Sequence, residues 1–357
     1  MKVVPGVEQP PAVSTDHLER IRKARRRRLS APEYIDGILR GERTILAQAI
    51  TLVESSRAED AELSQEIIEA CLPHTGDSVR IGITGVPGVG KSTFIEALGT
   101  HLTEQRGERV AVLAIDPSSQ KSKGSILGDK TRMERLAADE RAFIRPSPSG
   151  GSLGGITRRT RETMLLCEAA GFKNVLVETV GVGQSETAVS AMVDFFLLLM
   201  LAGAGDELQG IKRGIMEMSD LIAINKADGS NRQKAKAAAI EYRSALHLFP
   251  PSETGWAPQV VTCSAISHEG IADIWDMVLQ HRQLLMTQGL FESRRQEQAR
   301  QWMHEMIEQE LQSRFRNDPA VKSALAAYER EVSEGKISSF RAAQVLLDLH
   351  ANGEEKS

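Results

Sequence analysis

Cysteine is scarce in this chain of 357 residues: Cys71, Cys167 and Cys263 are the whole supply. An odd number, with almost a hundred residues between neighbours, excludes a disulfide framework and a CxxC ligand pair, and fits a reducing compartment. Aromatic residues make up only 4% of the chain, too few for the stacking platforms of a single-strand nucleic-acid binder. An excess of one charge is also missing. Lys+Arg 44 against Asp+Glu 48 leaves a net charge of -4, which argues against a surface that tracks nucleic acid throughout. The longest apolar run, Phe195 to Ala204, is half of the roughly 20 residues that a membrane-spanning helix needs, and reads as a buried strand. The first residues, MKVVPGVEQPPAVSTDHLER, lack the apolar core of a secretory signal. The basic cluster Arg25 to Arg28 suits a mitochondrial presequence, but Glu8, Asp16 and Glu19 do not, so the bacterial cytoplasm is the expected location.

What is present is ordinary for a globular protein: 41% hydrophobic and 26% charged residues, enough to build a sizeable core. Residues 1–15 carry Pro5, Pro10 and Pro11 with few apolar anchors, and are expected to form a mobile arm. Residues 16–78 read as a helical extension. Ser30 with Pro32 and Glu33 looks like a helix start, and Ile35, Ile38, Leu39, Ile45, Leu46, Ile50 and Leu52 recur at helical spacing. Residues 79–285 alternate β-rich runs with helical stretches, the pattern of an α/β domain with a mostly parallel, doubly wound sheet. Its strands are expected at Val79 to Thr84, Val110 to Asp116, Ala142 to Arg145, Asn174 to Glu178, Phe195 to Leu201, Leu221 to Asn225 and Gln259 to Thr262. Residues 286–357 are helical, with Met303, Ile307, Leu311 and Phe315 on one face that calls for a partner: the chain's own central domain or a second copy.

The strongest motif is Gly85-Val86-Pro87-Gly88-Val89-Gly90-Lys91-Ser92, followed by Thr93, which matches GxxxxGK[ST] between a strand and a helix. The chemistry explains the residue types. Gly88 and Gly90 let successive amides face phosphate, Lys91 neutralises the β- and γ-phosphates, and Ser92 ligates Mg²⁺. Val86 stands where the dimerising deviant-loop ATPases carry lysine, which disfavours that subgroup.

Guanine is indicated by Asn225-Lys226-Ala227-Asp228 after one apolar strand, and by Ser264-Ala265-Ile266 after the next. A carboxylate at Asp228 accepts from guanine's N1–H and exocyclic amine, whereas adenine leaves it unpaired, so the site discriminates strongly.

The run from Asn174 ends in Glu178-Thr179-Val180-Gly181, where many GTPases place DxxG. Glu178 is expected near Mg²⁺ and the Gly181 amide at the γ-phosphate. Residue 182 is valine, so the water-orienting glutamine of Ras-like enzymes is missing and slow intrinsic hydrolysis is expected. Asp116 closes the second strand, where open sheets bind ligands, and is expected to ligate the metal or orient water. Asp129 lies in the loop that follows, beside Lys121 and Lys123, and is a candidate nucleotide contact. A glycine-rich charged segment holding Asp206, Gln209, Lys212 and Arg213 reads as a further switch. The stretch Pro146 to Arg161, with Arg158, Arg159 and Arg161, is read two ways, as a partner-docking surface or as a solvated loop and helix start.

With these residues in place the chain resembles the methylmalonyl-CoA mutase-associated GTPases of the MeaB/ArgK type, within the SIMIBI class. The likeness spans nearly the whole chain and rests most on ETVGVGQSE at 178–186 and QGIKRG at 209–214, with GVPGVGKST at 85–93 and NKAD. The resemblance implies a Mg²⁺-dependent, homodimeric GTPase that binds methylmalonyl-CoA mutase. Such a protein gates loading of adenosylcobalamin, which the partner binds, and protects the mutase. It places Lys91, Asp116, Glu178 and Gly181 in catalysis, and makes Asp206, Gln209, Lys212 and Arg213 the coupling to the mutase. It also makes residues 286–357 a dimerisation arm.

Other readings remain. A relative serving a different cobalamin-dependent acyl-CoA mutase shares every motif. A nickel or zinc insertase needs a cysteine or histidine cluster, and the eight histidines are scattered, with His268 near the base loop read as structural. A protein kinase of transport systems needs a phosphoacceptor motif that is not evident. An RNA- or membrane-surface module would use Arg20 to Arg28, a run without interleaved aromatics.

Overall fold

The structure, a computed structural model, describes residues 29–55, 57–115, 133–146, 153–179, 185–203, 213–250 and 254–354. The chain divides into two compact units, one of residues 1–77 with 162–172, the other of 78–161 with 173–357.

The first unit holds three helices, α1 (Ala31–Leu39), α2 (Arg43–Val53) and α3 (Ala58–Cys71). The expected start of α1 is present: the Glu33 carboxylate accepts from the Ser30 amide at 2.9 Å and from its hydroxyl at 3.0 Å. The first of these contacts satisfies the Ser30 amide, which the start of a helix leaves without a partner. Ile38, Leu46 and Ile50 are fully buried, each contributing about 1.5–3 kcal/mol of burial. Gly37 is required for the approach of α2, because a side-chain carbon there would lie 2.8 Å from Ile45.

The second unit is built on a sheet of seven strands: β1 (Val79–Gly85), β2 (Val110–Ile115), β3 (Ala142–Arg145), β4 (Asn174–Thr179), β5 (Phe195–Leu201), β6 (Leu221–Asn225) and β7 (Gln259–Thr262). Their order is β3-β2-β4-β1-β5-β6-β7, and every pairing is parallel. Each expected strand is present to within a residue at its ends. Parallel strands covered on both faces read as continuous apolar runs, which is why Phe195 to Leu201 is almost wholly buried.

The remaining helices are α4 (Lys91–Thr100), α5 (Glu134–Ala138), α6 (Leu153–Ala169, of which 162–169 count with the first unit), α7 (Ser185–Ser190), α8 (Arg213–Glu217), α9 (Arg232–Leu246), α10 (Ile271–Thr287), α11 (Leu290–Asn317), α12 (Pro319–Ser333) and α13 (Ser339–Glu354). Two aspartates start strands at the amino edge of the sheet. Asp194 accepts the Arg80 amide at 2.9 Å and Asp220 the Phe196 amide at 2.8 Å, so each aspartate before one strand ties in its neighbour. Arg295 of α11 grips Asp194 through Nε at 2.9 Å and Nη2 at 2.6 Å, and donates to the Ser78 carbonyl at 2.8 Å.

One stripe of α11, spaced by four residues, donates to three carbonyls between α7 and β5: Trp302 to Ala191 at 3.3 Å, Gln298 to Val193 at 2.9 Å and Arg294 to Asp194 at 3.4 Å. Further along α11, Met303, Ile307 and Leu311 are exposed, whereas Phe315 meets the His350 ring edge-on at 5.6 Å. Of the two readings of the arginines before α6's midpoint, docking surface or helix start, Arg161 is decided. It is buried, ion-paired with Glu305 at 2.6 Å and stacked over Trp302 at 4.9 Å. An arginine already enclosed by its own chain is not available to a partner, and Arg158 alone of the three is exposed.

Candidate functional site

The site forms at the carboxyl edge of the sheet, where the loops after β1, β6 and β7 meet the end of β4, the usual ligand crevice of open α/β sheets. After β1 the chain turns through Gly88 (φ 77°) and Gly90 (φ 91°) into α4. Both conformations lie in the left-handed region that glycine enters at no steric cost. Val89 points inward and is fully buried, anchoring the loop, while Pro87, Gly88 and Thr93 are exposed and Val86 packs partly on the core. Gly85 passes close to β5: a side-chain carbon would lie 2.4 Å from the Leu199 carbonyl oxygen.

Lys91 curls over this loop, its Nζ donating to the Gly85 carbonyl at 2.8 Å and reaching the Val86 carbonyl at 3.5 Å. Burial pulls its ammonium below the ordinary lysine range, while the carboxylates of Glu178 and Glu186 act in the opposite sense. Ser92 donates from Oγ to Glu178 Oε1 at 3.3 Å, so the first turn of α4 and the end of β4 bring a hydroxyl and a carboxylate together. Register explains the meeting: Glu178 lies opposite Ile83 of β1 on one side and Ala114 of β2 on the other. Behind it, Thr179 donates to Thr84 at 2.8 Å.

The base-site residues join the phosphate loop directly. Asn225 is buried; its Nδ2 donates to the Val89 carbonyl at 2.8 Å and its Oδ1 accepts the Ala265 amide at 3.2 Å. Lys226, with φ 58°, sends Nζ to the Gly88 carbonyl at 2.7 Å, and its own carbonyl accepts from Asn231 at 2.7 Å. Asp228 accepts from the Ser264 hydroxyl at 2.5 Å, which fixes one of its two carboxylate oxygens. The Ser264 segment is held in turn by a bridge to Glu269, which pairs with Arg232 at 2.7 Å. Ile266 and His268 are exposed, and His268 sits in a left-handed turn (φ 59°). Among the described residues no group of three or more His, Cys, Asp or Glu side chains surrounds a possible metal position.

The structure therefore brings together Gly85 to Thr93, Glu178, Asn225, Lys226, Asp228 and Ser264 to Ile266. Asp116, Asp129, Gly181, Asp206, Gln209 and Lys212 lie outside the described residues, as does the side chain of Arg213. Glu186 was not singled out from the sequence. The signal was within ETVGVGQSE, but only the fold shows that its last carboxylate is buried and that its charge favours the Lys91 ammonium.

Comparison with known proteins fits this geometry. Residues 46–320 match the family described as methylmalonyl Co-A mutase-associated GTPase MeaB. The chain belongs to the MeaB family. A probable GTPase of Mycobacterium tuberculosis is 52% identical over 309 residues, 87% of this chain and 92% of that protein. The GTPase ArgK of Escherichia coli is 51% identical over 279 residues, 78% and 84% of the two chains. The mitochondrial methylmalonic aciduria type A homolog of Mus musculus is 46% identical over 321 residues, 87% and 77%. Among solved structures, one described as LAO/AO transport system kinase superposes with a TM-score of 0.72 at 40% identity, covering 89% of this chain and 96% of that one. The expected fold is confirmed: this member of the MeaB family is a P-loop NTPase with helical extensions at both ends, and an enzyme of the GTP-hydrolysing class. Among the described residues no helix is long and apolar enough to cross a membrane.

Proposed function

We propose that this GTPase is the chaperone of an adenosylcobalamin-dependent methylmalonyl-CoA mutase, hydrolysing GTP to GDP and phosphate to gate cofactor loading and protect the mutase. The observation that carries the reading is the family match across residues 46–320, under a mutase-associated description, in a chain whose phosphate loop and guanine site are joined by Asn225.

Each residue then has a task. The loop amides between Gly85 and Ser92 hold the phosphates, and Lys91 leaves the Gly85 carbonyl to neutralise the charge that develops between the β- and γ-phosphates. Asp228, oriented by Ser264, accepts from the guanine edge, and Lys226 covers the base from the loop side. The neighbouring Ser92 hydroxyl and Glu178 carboxylate offer the hard oxygen atoms that suit Mg²⁺, an ion that takes few protein ligands when phosphates and water supply the rest. Bound there with GTP, it would neutralise phosphate charge. Asp116 completes this metal site, Asp129 contacts the nucleotide, and the Gly181 amide senses the γ-phosphate. Asp206, Gln209, Lys212 and Arg213 form the switch read by the mutase, and the cobalamin is held by that partner.

The protein works as a homodimer in the bacterial cytoplasm, and the exposed face of Met303, Ile307 and Leu311 is where a second copy would be sought. The test is steady-state GTP hydrolysis with and without purified methylmalonyl-CoA mutase, with ATP as control. Many-fold stimulation by the mutase is expected. Hydrolysis indifferent to it would leave a GTPase with a different client.

A further inference from the structure

The loops after β6 and β7 are tied together at two depths. Inside, the Ala227 amide donates to the Cys263 carbonyl at 2.9 Å, and the Ser264 hydroxyl donates to Asp228 at 2.5 Å. Farther out, Nη2 of Arg232 donates to both carboxylate oxygens of Glu269, at 2.8 and 2.7 Å. The Arg232 and Glu269 side chains are 52% and 54% exposed, whereas Ser264 is fully buried.

Short connections carry this outer pair to the residues assigned to guanine. Between Asp228 and Arg232 lies the turn Gly229–Asn231, closed by the Asn231 amide on the Asp228 carbonyl at 2.9 Å and by the Asn231 side chain on the Lys226 carbonyl at 2.7 Å. In the other loop the Ser264 amide donates to the Glu269 carbonyl at 3.0 Å and the Ser267 amide to the Ser264 hydroxyl oxygen at 3.2 Å, so that the hydroxyl proton turns to Asp228. Gly270 (φ 75°) passes so close to the end of β7 that a side-chain carbon would lie 2.8 Å from the Thr262 carbonyl oxygen, which fixes where Glu269 begins. Each loop runs into a helix with a buried face, α9 through Ala235 and Ala239 and α10 through Ile271 and Trp275, so the pair spans two firm supports. Local helix stability does not call for Arg232. It is the first residue of α9, at the positive end of the helix dipole, with no acidic residue in that first turn. The compensating charge comes across the gap from Glu269.

We propose that Arg232 and Glu269 form a latch between the two guanine loops and set how fast nucleotide is released. They are positioning residues, acting through Asp228 and Ser264. The inference rests on the guanine-site reading above and extends it from which base is held to how long it is held. Release parts the two loops, and the charged contact across them resists that parting. Changes within one binding site act chiefly on dissociation, so affinity falls as release quickens. The phosphate loop is built from β1 and α4, so cleavage of GTP already bound is untouched.

The test uses full-length R232E, E269R and the exchanged pair R232E/E269R. The first sets two carboxylates opposite each other, the second two guanidiniums, and the third restores opposite charges. Release of a fluorescent GDP analogue into excess GDP is timed, beside single-turnover hydrolysis of bound GTP. Each single variant should release GDP about three- to tenfold faster, and the exchanged pair should return to within about twofold of wild type. Hydrolysis of bound GTP should stay within about twofold throughout. Should a single variant fail to fold, E269Q takes its place, with release faster by about two- to threefold. Wild-type release rates in the single variants overturn the proposal, and so does an exchanged pair that releases as fast as they do. Wild-type protein unable to bind GDP would instead sink the guanine-site reading itself.

Discussion

Asn225 touches both the phosphate loop and the second guanine loop, so removing it should separate two halves of the site that the fold joins. In Asn225→Ala, the Val89 carbonyl loses a donor at 2.8 Å and the Ala265 amide an acceptor at 3.2 Å, both in buried surroundings. Each hydrogen bond contributes about 0.5–1.5 kcal/mol net, and a buried group left without a partner costs about 1–3 kcal/mol. In the free protein both loops can relax toward water, so little of this appears as lost stability. Nucleotide binding must restore the aligned loops, and about 2–3 kcal/mol is expected to appear there. That is a loss of GDP affinity of roughly 30- to 150-fold. Isothermal calorimetry with GDP, paired with urea melts, reads the two quantities separately. Asn225→Asp sharpens the test. Its carboxylate still accepts from the Ala265 amide but faces the Val89 carbonyl with like charge, so it should bind GDP no better than the alanine variant. GDP affinity within threefold of wild type in Asn225→Ala would refute the view that this residue couples the two loops.

Three further outcomes follow from named contacts. Asp228→Asn should relax the preference for GTP over ATP, because an amide is no longer a double acceptor for the guanine edge; competition binding with both nucleotides reads it, and unchanged selectivity would overturn the base-site assignment. Arg295→Met should cost about 3–5 kcal/mol, since it strands the buried Asp194 carboxylate, and the double variant with Asp194→Asn should cost less than the sum of the singles in a denaturation cycle. The third concerns pH. Burial, only partly offset by Arg294, lifts Asp220 to about 6, and burial with Arg294 lowers His281 to about 4. Between about pH 4 and 6 the folded state thus holds its proton on Asp220, while the unfolded chain holds one on His281, so the pair adds little slope. His281→Gln leaves the raised aspartate alone, and stability should climb as pH falls from about 6 to 4. Asp220→Asn leaves the depressed histidine, and stability should fall as pH drops from about 6.5 to 4. Parallel pH profiles for the two variants would refute this assignment of protons.

Patterns that are local in the chain were legible in the sequence. Strands enclosed on both faces must be apolar at consecutive positions, so all seven appeared in their observed places, and GVPGVGKST and NKAD named their ligand because their geometry is set by adjacent backbone and glycine conformations. The tertiary structure decided pairings between distant polar residues. Arg161 reads in sequence as part of a basic surface and in the fold is enclosed by Glu305 and Trp302. Asn225 reads as one letter of a base motif and is also the tie to Val89; Glu186 reads as the end of a motif and in the fold is buried. A polar side chain has the same signature whether it faces water or a partner a hundred residues away, because spacing records periodicity and not what lies opposite. Which carboxylate meets which cation is fixed only when sheet register and helix packing bring the elements together.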